Sequence, residues 1–123
     1  GAMDWTFTDD RPIWQQITEQ LTLRILKGEY PPGGRLPAVR ELATQAGVNP
    51  NTMQRALAQL ETEGLAVGSR TAGRTVTEDT AVIEAAARER ARAAVAACLR
   101  ILAELGYSPE NALVFVKEEL SNE

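Results

Sequence analysis

The 123-residue chain predicts a mainly α fold with one small β-hairpin, and three observations predict it. Apolar residues recur three and four apart in several stretches, the spacing of one helix face. Glycine and proline cut those stretches at Gly28, at Pro31-Pro32-Gly33-Gly34, at Gly47, at Gly64 and at Gly106. Only Leu65 to Val67 and Arg74 to Thr77 are β-prone, and the segment Gly68-Ser69-Arg70-Thr71-Ala72-Gly73 between them can turn a hairpin.

In order, residues 1–11 read as a tag remnant, Gly1-Ala2-Met3, and an extended N-terminal arm where Trp5 and Phe7 alternate with polar residues. After Pro12, the residues Ile13, Ile17, Leu21, Ile25 and Leu26 make the inward stripe of a first helix, with Gln15, Gln16, Glu19 and Gln20 on its polar face. A short second helix fits Ala38 to Ala46, with Val39, Leu42 and Ala43 inward and Gly47 as its C-terminal break. Asn49 is a good N-cap for the third helix, and Pro50 takes the first helical position, where a missing N–H costs nothing. That helix runs to about Glu63, and Gly64 closes it. Beyond the hairpin, Thr80 to Leu105 is rich in Ala, Arg and Glu and reads as a long helix that Gly106 ends. Ser108-Pro109-Glu110 then starts a last helix with a capping hydroxyl, a first-turn proline and a first-turn acid. Three helices and a hairpin in this order make a winged helix-turn-helix over residues 12–78. A two-helix C-terminal dimerisation region follows over 79–123.

Composition removes other chemistries. There is no histidine and one cysteine, so Ser-His-Asp or Cys-His catalysis, an internal disulfide and a Cys-only metal cage are all excluded. Glu118 and Glu119 are adjacent on a helix and point apart, so they make no acid/base pair, and no glycine-rich phosphate loop follows a strand. Neither an enzyme nor a bound cofactor is expected. No apolar stretch of membrane-spanning length and no signal sequence occur, which points to the cytoplasm. The net charge is -4, from 13 Lys+Arg against 17 Asp+Glu, which on its face argues against a polyanionic partner. The charge is unevenly placed, however. Residues 11–76 carry 8 bases against 5 acids, whereas residues 77–123 carry 5 bases against 9 acids.

The third helix carries the functional signal. Met53, Ala56, Leu57 and Leu60 form its inward stripe, leaving Asn51, Arg55, Ala58 and Thr62 opposite, with Thr52, Gln54 and Gln59 on the flanks. The exposed first two turns present amides, a hydroxyl and a guanidinium and no carboxylate. Those are the groups that bond base edges in a major groove, where Arg suits guanine and Asn or Gln suits adenine. Arg35 and Arg40 flank the start of the second helix, and Arg70 and Arg74 lie on or beside the wing with two further candidates, Thr71 and Gly73; the four arginines are placed for phosphate contact, or a wing arginine for the minor groove. A winged helix that docks a protein is the alternative, but this polar face has no aromatic anchor.

The runs Tyr30-Pro-Pro-Gly-Gly-Arg-Leu-Pro-Ala-Val-Arg-Glu-Leu-Ala43, Gly47-Val-Asn-Pro-Asn-Thr-Met-Gln-Arg-Ala56 and Leu60-Glu-Thr-Glu-Gly-Leu65 resemble the DNA-binding domain of GntR-type bacterial regulators over about residues 12–77. Val48-Asn49-Pro50-Asn51-Thr52 followed by Arg55 resembles the YtrA-type branch. The resemblance implies that Arg40, Asn49, Asn51, Thr52 and Arg55 touch an operator in double-stranded DNA, that the wing tip lies near Gly73, and that the protein is a homodimer. Two departures stand out. Ala38 replaces a frequent capping Ser, and the wing lacks the common second glycine and aromatic.

In the tail, Arg88, Ala91, Val95, Cys98, Leu99, Leu102 and Leu105 form one stripe, and Leu113, Val116 and Leu120 a second, with Phe115 beside it. Two such helices cannot bury both faces on each other, so a two-fold homodimer bundle is expected. Cys98, mid-stripe, is expected to be inert packing. A tail this short leaves little room for an effector pocket, and any small-molecule signal has to bind at the dimer interface or between tail and DNA-binding domain. The expected function is a sequence-specific repressor.

Overall fold

In the computed structural model, residues 4–71 and 73–122 are described. Gly1-Ala2-Met3, the segment read as a tag remnant, and Ala72 of the expected wing lie outside them. The elements are α1 (Ile13–Leu26), α2 (Val39–Ala46), α3 (Pro50–Thr62), β1 (Ala66–Ser69), β2 (Gly73–Val76), α4 (Thr80–Glu104) and α5 (Pro109–Ser121). They fall into two compact units, Gly1–Ala85 and Ala86–Glu123. No helix among the described residues is long and apolar enough to cross a membrane.

The core of the first unit follows the helical periodicity. Ile17, Leu21 and Ile25 of α1 are buried with Leu42 and Ala43 of α2 and Met53, Ala56, Leu57 and Leu60 of α3. Leu36, Leu65, Ala66 and Val76 are buried as well. The packing of α1 and α3 carries one polar tie. The buried Thr18 hydroxyl lies 2.9 Å from the Trp14 carbonyl and 3.2 Å from the Ala56 carbonyl, across the helix pair. Between α2 and α3 the chain reverses at Gly47, whose φ of +70° is a left-handed conformation that favours glycine. Val48 N then donates to the Ala43 carbonyl at 3.0 Å and closes the end of α2. Asn49 caps α3 as its residue type predicts, its side-chain oxygen accepting from Asn51 N at 2.8 Å. Ala38 gives α2 no side-chain cap.

Three features depart from the sequence reading. The hairpin is displaced from Leu65–Val67 and Arg74–Thr77 to Ala66–Ser69 and Gly73–Val76, in antiparallel register from Ala66↔Val76 to Ser69↔Gly73. Gly68 and Ser69 look like turn residues, yet they extend the ladder; Thr77 still bonds, its N–H reaching the Leu65 carbonyl at 3.0 Å. Residues 33–36 add an edge that no β-propensity announced. Leu36 N donates to the Arg74 carbonyl, Gly33 N to the Val76 carbonyl, and Arg35 bridges Thr75.

Gln16 is the third departure, because it is buried rather than on a solvated face. Its amide is used up by the arm: Nε2 donates to the Thr8 and Arg11 carbonyls at 2.9 and 2.8 Å, and Oε1 accepts from Thr8 N at 2.8 Å. Gln20 treats Thr6 the same way, donating to its carbonyl at 2.7 Å and accepting from its N–H. A buried amide with all its groups satisfied is stable where a bare one is not. Trp5 then lies over the buried Arg24 guanidinium at 4.1 Å, with Phe7 stacked on Trp5.

The second unit holds most of α4 together with α5. Ser108 caps α5, accepting from Asn111 N, and Tyr107 meets Phe115 edge-on at 4.8 Å. In α4 no residue is buried, and in α5 only Ala112 is.

Candidate nucleic-acid interface

The first unit is held from within, so α3 is free to show its other side. With Met53, Ala56, Leu57 and Leu60 buried, helical geometry sends Asn51, Gln54, Arg55 and Ala58 outward, and all four are exposed; Thr52 is half-buried. No acid lies in the first turn of α3. Asn49 is exposed, but its oxygen serves the cap, which leaves its NH2 group for a ligand. Arg40 is exposed on α2, one helix away.

The wing places its cations differently from one another. Arg70 and Thr71 are exposed at the tip, where Thr71 N donates to the Ser69 hydroxyl at 3.3 Å. Arg35 reaches across to Gly73, where a Cβ would stand 3.6 Å from its guanidinium. Arg74 is committed elsewhere: its Nε donates to Glu61 of α3 at 2.6 Å. That ion pair ties the wing to the end of α3. Arg35, Pro37, Ala38, Glu61, Ser69 and Arg74 help to line a cleft of about 370 Å³ at the uncapped start of α2. The Arg35 guanidinium beside a helix start without a side-chain cap suits a phosphate oxygen.

Two partners of these side chains are absent from the sequence reading. Glu61, near the C-terminal end of α3, pairs with Arg74. Trp14, one residue off the Ile13–Ile17–Leu21 repeat, lies under the Arg55 guanidinium at 4.3 Å. An indole at a position the core stripe does not need was the one available signal.

The tail residues expected to meet a partner are unburied in the single chain. Ala91, Val95, Cys98, Leu99 and Leu105 are exposed, Leu102 is half-buried, and Leu113, Val116 and Leu120 of α5 are exposed. Cys98 is therefore not packed within its own chain. Ile101 and Val114 enlarge the exposed apolar set beyond the two stripes.

Comparisons agree with this geometry. The model of the bacterial regulatory proteins of the gntR family matches residues 13–76. A protein of Bacillus subtilis (strain 168) described as the uncharacterized HTH-type transcriptional regulator YhcF is 33% identical over 115 residues, 94% of this chain and 95% of that one. The HTH-type transcriptional repressor YtrA of the same organism is 44% identical over 68 residues, 55% of this chain and 52% of its own. Among solved structures, a GntR family transcriptional regulator from Listeria monocytogenes superposes with a TM-score of 0.83 at 36% identity, covering 91% of this chain and 98% of that one.

Proposed function

The chain belongs to the gntR family of bacterial regulatory proteins, and from that premise we propose that it is a repressor of the YtrA-type branch that binds a palindromic operator as a homodimer. The family and the fold are those of DNA-binding transcriptional regulators, not of enzymes. What carries the finer reading is the outer side of α3: Asn51, Gln54 and Arg55 stand exposed above a buried Met53–Leu57 stripe, with no acid in the first turn. An amide reads adenine and a guanidinium reads guanine, so this side is suited to base edges, while Arg35, Arg40 and Arg70 hold the phosphates. The similarity to YtrA, itself described as a repressor, supports the branch and the direction of regulation. Residues 12–78 would bind DNA and 79–123 would pair the subunits.

Selection of bound fragments from the source genome tests this directly. The expected operator has half-sites with centres about 10 base pairs apart or a multiple of that. It should overlap a promoter whose transcription the protein lowers. Affinity should fall on the order of 10³-fold between 50 and 200 mM salt if about six phosphates are contacted. Single unrepeated sites, or a flat salt response, would overturn the reading.

The Glu61–Arg74 pair predicts a gain rather than a loss. Glu61→Gln keeps an acceptor beside Gly68 but removes the charge that holds Arg74. Titrations against salt should then show tighter binding to every sequence alike, with the slope steeper by about 1 per subunit. An unchanged slope would mean that Arg74 does not reach phosphate once released.

A further inference from the structure

Arg55 is an exposed arginine, a side chain whose many rotamers ordinarily must be frozen when it binds. Here it is already held. Its guanidinium carbon lies 4.3 Å from the centre of the Trp14 ring, the distance of a direct cation–π stack. A guanidinium held over a ring face can still offer its edge N–H groups to a ligand, and those are the donors that meet O6 and N7 of guanine. The backbone that carries the ring is fixed next to the helix contact. Thr18, one turn along α1, places its hydroxyl 2.9 Å from the Trp14 carbonyl and 3.2 Å from the carbonyl of Ala56, the neighbour of Arg55. Ile17 and Leu57, both buried, fix the same helix pair. Trp14 is only half-buried, so the core does not require its ring.

We propose that Trp14 is a positioning residue for sequence readout: from α1 it sets the orientation of Arg55 on α3 before DNA arrives, and so sharpens discrimination without touching DNA. This rests on Arg55 reading a base, as in the function proposed above. One pre-immobilised long side chain is worth about 2- to 10-fold in affinity. The gain applies only where the held geometry is used, on the operator and not on unrelated duplex.

The test measures the full-length chain and its Trp14→Ala, Trp14→Tyr, Arg55→Ala and Trp14→Ala/Arg55→Ala variants. Each is titrated against the selected operator and an unrelated duplex of equal length. Trp14→Ala should lose about 2- to 10-fold on the operator and nothing on the unrelated duplex. Trp14→Tyr, which keeps an aromatic face, should recover most of it. In the Arg55→Ala background, Trp14→Ala should have no further effect. Equal losses on both duplexes, no recovery with tyrosine, or full additivity in the double variant would each overturn the inference. If Arg55→Ala itself leaves discrimination intact, the assignment of Arg55 to base readout falls and takes the inference with it. If Arg55→Ala loses discrimination while Trp14→Ala keeps it, only the inference falls.

Discussion

Leu99→Glu is expected to yield a monomer whose operator affinity is lower by about 10²- to 10⁴-fold, the advantage that linking two binding modules confers. Not one of the 25 residues of α4 is buried in the single chain, although Val95, Leu99 and Leu102 recur along it in steps of four and three, with Leu105 next in the series just past its end. α5 adds Leu113, Val116 and Leu120, each about half exposed or more. Apolar residues spaced this way make a continuous surface, and such surfaces mark association sites. The alanines around them let a second helix approach closely. In the homodimer proposed above, a two-fold interface would repeat every substitution, so one changed codon would place two carboxylates in the contact. Each buried leucine given up forfeits about 1.5–3 kcal/mol, and a desolvated glutamate adds its own penalty. Mass in solution by light scattering and operator titration read the two effects separately. The winged helix should keep its melting behaviour, because Leu99 lies in the other unit. A Leu99→Glu protein that stays dimeric and binds its operator unchanged would remove the tail from the interface.

How far the fold could be read depended on the range of the signal. Asn49-Pro50 starting α3, Gly47 ending α2 and the Met53–Ala56–Leu57–Leu60 stripe are signals within a few residues of what they specify, and the structure places all of them as read. Side chains that depend on partners distant in sequence were opaque. Residue type says that Gln16 tolerates water; it does not say that three backbone groups of an arm will use up its amide. Residue type marks Arg74 as a cation suited to phosphate; it does not say that Glu61, from a different element, pairs with it. Trp14 and Arg55 meet only because α1 and α3 cross at Thr18 and Ala56. The edge formed by residues 33–36 is likewise a product of the packed hairpin, since Pro31-Pro32-Gly33-Gly34 has no strand propensity of its own. In the tail the pattern was clear but what covers it was not, because periodicity shows that a face is apolar without saying against what it packs.

Arg24 is the strongest case of such opacity, and it carries the second large prediction. It lies one residue before the buried Ile25 and is itself only 1% exposed, as deeply buried as Leu57 and Val76 of the apolar core. A buried charge persists only when paired and bonded. Its Nη1 lies 3.1 and 3.2 Å from the two carboxylate oxygens of Glu29, and the Trp5 ring covers its guanidinium at 4.1 Å. The Arg24 carbonyl also accepts from Glu29 N at 2.9 Å, so side chain and backbone close the same turn. Tyr30, next along, has its hydroxyl pKa raised by burial and then by the Glu29 charge, as expected beside this site. Arg24→Ala therefore removes a buried partner, opens a void and takes away the cation under the Trp5 ring of the arm. The expected cost is about 3–5 kcal/mol, the range for breaking a buried ion pair. For a domain this small that lowers the melting temperature by about 15 °C or more. Arg24→Met should cost distinctly less, because it fills the same space under Trp5, and Glu29, with its side chain 30% exposed, can turn to water. Thermal unfolding of the two variants separates charge from volume: equal losses would mean that the ion pair matters and the packing does not. A drop of under about 3 °C for Arg24→Ala would show that the buried guanidinium is dispensable. Arg24 and Trp14 lie about 15 Å apart along α1 by the helical rise. At temperatures where Arg24→Ala is still folded, operator affinity should therefore match the parent, since the clasp that stabilises α1 and the ring that orients Arg55 occupy opposite ends of one helix.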